Sequence, residues 1–140
     1  MKVFIVILLL VATGIEANSQ CDKKIKWSGA KGEMYDTNGG LLDTKLDSIF
    51  LETGPQKINL RFQSDDKDLD GTITDKTCEW KEPFKNGRSV YHAMVNIEGA
   101  ESKATFTIEG KDQKITLSVE IEARQGRRFV IYFDKYEEIK

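Results

Sequence analysis

Histidine, cysteine and proline are scarce in this sequence: its 140 residues contain one His, two Cys and two Pro. A single histidine argues against zinc sites built from several imidazoles, and no Gly-x-Ser-x-Gly motif or glycine-rich phosphate loop occurs. Charge is nearly balanced, with 21 basic and 23 acidic residues, so the strongly basic face typical of nucleic-acid binding is missing. These absences favour one domain that is not an enzyme and has no nucleic-acid partner.

The sequence also has no apolar run long enough to span a bilayer. Residues 3–12 form an apolar stretch of about ten residues, whereas a transmembrane helix needs roughly twenty. Lys2 precedes this stretch and small or polar residues follow it, which is the pattern of a secretory signal peptide. We therefore predict a signal peptide over residues 1–19, with cleavage after Ser19 or, alternatively, after Ala17. Residues 20–140 would then form a single secreted β-domain without a membrane anchor.

The two cysteines are interpreted in the light of this predicted secretion. In an oxidising compartment, Cys21 and Cys78 are expected to form one disulfide, since the sequence contains no third cysteine. The bond would close a loop of about 58 residues, for which the chain-entropy model gives roughly 4 kcal/mol of stabilisation. The disulfide would connect the start of the secreted domain to its middle.

Apolar and polar residues alternate with period two through most of the predicted domain, which is typical of half-buried strands. The clearest segments are residues 104–108 and 115–121. Short polar turns follow several segments, so neighbouring strands must be antiparallel. Asn86-Gly87 predicts a further hairpin. Residues 41–51 fit either one face of a helix or a bent strand.

Seven or eight short antiparallel strands predict an all-β domain. We expect a single antiparallel β-sandwich, with a small closed β-barrel as the alternative. A lipocalin barrel carries a Gly-x-Trp signature near its start, whereas here Gly29 follows Trp27.

Residues 66–77 form the most specific local motif. It contains three aspartates at alternate positions, Asp66, Asp68 and Asp70, followed by Gly71. Thr72 comes next and would offer its backbone carbonyl as a metal ligand. The segment resembles the calcium loop of an EF-hand, and this resemblance implies calcium ligation by Asp66, Asp68, Asp70 and Thr72. The alternative is a solvated hairpin tip, since Asp and Gly are common turn residues.

A second cluster consists of Arg124, Arg127 and Arg128 at a predicted turn. Guanidinium groups bind sulfate and phosphate through paired hydrogen bonds, so these arginines are a candidate anion site. The alternative is a charged turn that only keeps this end of the sheet soluble.

These observations predict a secreted, extracellular binding protein without enzymatic activity, acting through its loops or a sheet face. Its partner would be an extracellular protein or glycan, and calcium could brace the loop at 66–77. A lipocalin-like small carrier of an apolar ligand is the alternative. A small secreted hydrolase is a further alternative in which His92 is the sole candidate imidazole base, and we assign no catalytic residue.

Overall fold

A computed structural model describes residues 20–65 and 68–139 of the chain. Eight antiparallel strands follow one another, and each pairs with the next in chain order. The strands are β1 (Ile25–Asp36), β2 (Leu41–Thr53), β3 (Lys57–Phe62), β4 (Asp68–Glu82), β5 (Asn86–Ile97), β6 (Ala100–Lys111), β7 (Lys114–Ile121) and β8 (Arg127–Glu138). A 3₁₀ turn at Glu122–Arg124 joins β7 to β8. The all-β, antiparallel prediction is confirmed, and the ambiguous residues 41–51 belong to a strand.

The sheet closes on itself because β8 pairs with β1, from Ile25 opposite Glu138 to Asp36 opposite Arg127. The expected sandwich is therefore replaced by its alternative, the small closed β-barrel. A sandwich leaves strand edges at the sides of two sheets, whereas here the first and last strands join. Gly29 makes this seam possible, since a Cβ at that position would overlap the carbonyl oxygen of Tyr132 in β8.

Large side chains fill the body of the barrel. Trp27, Tyr91 and Phe106 are at most 1% exposed, and the Trp27 indole donates from Nε1 to Thr53 Oγ1 at 3.1 Å. An eight-stranded barrel has an interior just wide enough for side chains to fill. The centre of this barrel is thus a packed core.

The N-terminal segment closes one end of the barrel, where a 3₁₀ turn at residues 20–22 precedes β1. Cys21 and Cys78 are joined by the predicted disulfide, which is confirmed. The Phe84 ring lies 5.5 Å from the Trp27 ring, centroid to centroid. The Ile139 backbone amide donates to the Lys24 carbonyl at 2.8 Å, so the two ends of the described chain meet here. We refer to this as the closed end.

The β4–β5 hairpin turns slightly earlier than the sequence suggested. Its turn lies at residues 83–85, and Asn86 and Gly87 already belong to β5. Phe84 has a φ of 62° and takes the left-handed position usually given to Gly or Asn. The Phe84 ring packs against the core at the closed end, and this contact stabilises the left-handed conformation of a bulky residue.

The predicted signal peptide at residues 1–19 lies outside the described residues. Within the ranges that the structure describes, no helix has the length and apolar character needed to cross a membrane.

Candidate functional site

A cavity of about 250 Å³ lies at the end of the barrel opposite the disulfide. Here β3, β5 and β7 end and β4 and β8 begin. We call it the mouth cavity. Its apolar lining consists of Leu60, Phe62, Leu69, Ile97, Val119, Ile121 and Phe129.

The alternation of each strand builds this lining. Leu60 and Phe62 are successive inward positions of β3, and Leu60 lies opposite Leu69 of β4. Leu60, Val119 and Ile121 are buried and form the floor, continuous with the packed core. Phe62, Leu69, Ile97 and Phe129 are only partly buried, although they pack against that core. Their exposed apolar surface is what a ligand could cover.

Polar residues surround this apolar floor: Asp65, Asp68, Asn96, Glu98 and Arg124. Lys45 Nζ lies 2.8 Å from Asp65 Oδ2 and 4.7 Å from the centroid of the Phe62 ring. Within the described ranges, no carboxylate oxygen lies within 4.0 Å of an Arg124 nitrogen, so Arg124 forms no ion pair there. The rim thus presents both signs of charge, with one guanidinium available to a ligand.

Asp47 holds Ser64, which lies shortly after the end of β3, beside the mouth. Its Oδ2 accepts from Ser64 Oγ at 2.5 Å and from the Ser64 amide at 3.2 Å. The hydrogen bond from the Ser64 hydroxyl, aided by the Ser64 and Ser48 amides and by Lys45, lowers the pKa of Asp47 against an opposing contribution from burial. Ser64 is therefore tied to β2 by a carboxylate that is charged at neutral pH.

The chemistry at the mouth suits binding of a molecule that is apolar at one end and polar at the other. Apolar surface removes the ligand body from water, and the rim groups interact with its polar end. His92, the candidate base of a hydrolase, lies on the outer face of β5 with Nδ1 3.3 Å from Thr105 Oγ1. His92 does not line the mouth cavity.

The predicted anion site falls on a neighbouring groove of about 1020 Å³, along β5, β6, β7 and the β7–β8 turn, which shares Ile121 and Arg124 with the mouth cavity. The structure brings all three arginines to this groove, together with Lys103. The Arg128 guanidinium lies 5.7 Å from the centroid of the Tyr35 ring. The groove also contains acidic residues: Asp36, Glu120 and Glu122. Anion binding by Arg124, Arg127 and Arg128 stays a prediction.

Three of the four predicted calcium ligands lie in described residues, and these three belong to a strand and not to a loop. Asp66 lies outside the described residues, and Asp68, Asp70 and Thr72 follow one another along β4. Alternate residues of a strand share one face and are about 7 Å apart. The side chains of Asp68, Asp70 and Thr72 therefore lie side by side on the exposed face of β4. In residues 20–65 and 68–139, no group of three or more His, Cys, Asp or Glu side chains is placed to hold a metal. Calcium binding stays a prediction.

The mouth cavity was not predicted from the sequence. Alternation places every apolar residue of its lining except Leu69 on one face of a strand, but it does not show that these faces meet at one end of a barrel. One signal was present, because Phe62 and Ile97 are large apolar residues placed directly before turns. Comparisons with protein-family models, curated proteins and solved structures give no match to this chain.

Proposed function

We propose that this protein is a small carrier that binds a compact, mostly apolar molecule in the mouth cavity. The observation that supports this most directly is the apolar floor at the open end, with partly exposed aromatic and aliphatic walls. Binding through loops or a sheet face was the first expectation from the sequence. The carrier is now preferred because a closed barrel provides a concave apolar site at its mouth.

The size of the cavity limits the ligand. An engineered apolar cavity of about 150 Å³ accommodates benzene in another protein, so about 250 Å³ accommodates one or two fused rings with short substituents. A long acyl chain would need the barrel interior, which Trp27, Tyr91 and Phe106 occupy. The proposed ligand therefore lies at the mouth and not along the barrel axis.

The rim residues would select the polar end of the ligand. A hydroxyl, carboxylate or amine at the edge of the apolar body would lie among Asn96, Glu98 and Arg124. Polar groups left at the rim keep contact with water, so the ligand loses little hydration there. Amphipathic molecules are thus preferred to pure hydrocarbons.

We also propose that the protein acts outside the cell. The Cys21–Cys78 disulfide supports this location, because such bonds persist mainly in oxidising compartments. An extracellular carrier must be soluble and must shield its apolar ligand from water. The charged outer face of the barrel fits the first requirement, and the mouth cavity fits the second.

Titration with indole, followed by two-dimensional amide NMR, tests the carrier. We expect saturable shifts in residues that line the mouth cavity and small shifts at the closed end. Leu69→Trp should weaken indole binding at least tenfold, because the larger side chain occupies the cavity. Leu46→Trp is the matched control, since Leu46 is 79% exposed and does not line the cavity. Shifts that do not saturate, or equal affinities in the two variants, would contradict the proposal.

A further inference from the structure

Gln20 is buried at the closed end of the barrel, with only 3% of its surface exposed. Its Oε1 accepts a hydrogen bond from the backbone amide of Phe84 at 3.1 Å. A backbone N–H can only donate, so this contact fixes the orientation of the carboxamide. The oxygen faces Phe84, and the NH₂ group must point elsewhere.

That NH₂ group has no acceptor in the part of the chain that the structure describes. Gln20 Nε2 is the one buried side-chain nitrogen or oxygen there without a hydrogen-bond partner. Buried donors are nearly always paired in folded proteins, because an unpaired one loses its hydration without compensation. An exception at the start of the domain therefore calls for a chemical explanation.

The predicted signal peptide supplies that explanation. Cleavage after Ser19 makes Gln20 the first residue of the secreted chain, with its α-amine next to its own carboxamide. We propose that Gln20 is a modification site, and that it cyclises to pyroglutamate when the signal peptide is removed. The α-amine nitrogen attacks Cδ and forms the lactam C–N bond, while the bond from Cδ to Nε2 breaks. Nε2 leaves as ammonia, and the reaction needs no oxidant, reductant or co-reactant.

Cyclisation removes the unpaired donor that this buried position penalises. The unpaired NH₂ is lost, and the α-ammonium of a new N-terminus becomes a neutral lactam N–H. The lactam keeps a carbonyl oxygen, which is the kind of acceptor that the Phe84 amide requires.

Mass spectrometry of the protein secreted from insect cells with its own leader tests the site. We expect the N-terminal peptide to begin at Gln20, to be lighter than the open form by one ammonia, and to resist amine labelling. Pyroglutamyl aminopeptidase acting on the denatured chain should remove this residue and expose Cys21. A chain that begins at Asn18, or at Gln20 with a labelled amine, would overturn the proposal.

A chain produced with Ser19 as its first residue is the matched control. Gln20 is then internal and cannot cyclise, so it retains the unpaired Nε2. The cyclised protein should have a Tm higher than this control by roughly 2–8 °C, the shift expected when one unpaired buried donor is removed. Equal Tm values would overturn the inference that the unpaired Nε2 makes the closed end favour the lactam.

Discussion

The Trp80 indole donates from Nε1 to the Ser89 hydroxyl at 2.6 Å, directly beside the disulfide. Ser89 Oγ lies 3.3 Å from Cys21 Sγ and 3.7 Å from Cys78 Sγ. One buried hydroxyl therefore connects β4, β5 and the N-terminal segment. It accepts from the indole and can donate its single proton to a sulfur.

Ser89→Ala should lower the free energy of unfolding by about 1–3 kcal/mol, because it leaves the buried Trp80 N–H without an acceptor. Urea unfolding measured by tryptophan fluorescence reports this loss. Ser118→Ala, at a half-buried position of β7, is the control and should change stability much less. A Ser89→Ala protein as stable as the original would show that the indole finds another acceptor.

Gly29→Ala should destabilise the barrel by about 3 kcal/mol, since its Cβ meets the backbone of β8 and cannot be accommodated by side-chain movement. Thermal unfolding followed by circular dichroism checks the size of the effect. At Gly54 an added Cβ meets only ordinary contacts, with Lys24 Cγ at 3.4 Å and Lys57 O at 3.7 Å. Gly54→Ala should be tolerated. Similar losses of thermal stability in both variants would contradict the role given to Gly29 in the pairing of β1 with β8.

Removing the disulfide by the paired change Cys21→Ser and Cys78→Ser should cost about 4 kcal/mol, the value that the chain-entropy model gives for a loop of this size. The two cysteines are 57 residues apart. The urea midpoint of the variant measures this loss. A loss below about 1 kcal/mol would indicate that the unfolded chain keeps these segments together without the bond.

Asp47 should titrate below the usual aspartate value of about 3.9, because Ser64 hydrogen bonds favour its charged form. A lowered pKa means that the contact stabilises the fold at neutral pH and that this contribution is lost as the pH falls through the lowered pKa. The Ser64 amide resonance, recorded against pH, should follow this titration. The titration should vanish in Asp47→Asn, and an ordinary midpoint in the original protein would contradict the assignment.

The strands could be predicted from the sequence because burial of one strand face is a local pattern. Ala104, Phe106 and Ile108 alternate with polar residues, and they are buried as expected. The disulfide was predictable because only one pairing exists. Phe84 shows where local rules fail, since packing at the closed end shifted the turn away from Asn86-Gly87.

The sequence indicated closure only as the alternative to a sandwich and did not indicate the mouth cavity, because both depend on contacts between distant segments. Gly29 is an ordinary strand glycine in the sequence, and only its proximity to Tyr132 shows that it allows β1 to join β8. In the same way, Leu60 and Val119 form one floor although β3 and β7 are far apart in the chain. Periodicity assigns a side chain to a face, but it does not reveal which other strand lies opposite.

The hydrogen bond from Ile139 to Lys24 has a practical consequence for handling the protein. It places Lys24 and Ile139, which lie near the two ends of the described residues, at the end of the barrel remote from the mouth. A tag, fluorophore or solid support attached just before Gln20 or just after Ile139 would therefore face away from the proposed ligand site. Immobilised in this way, the barrel would present its mouth to a flowing sample, which suits surface-based screening for the ligand.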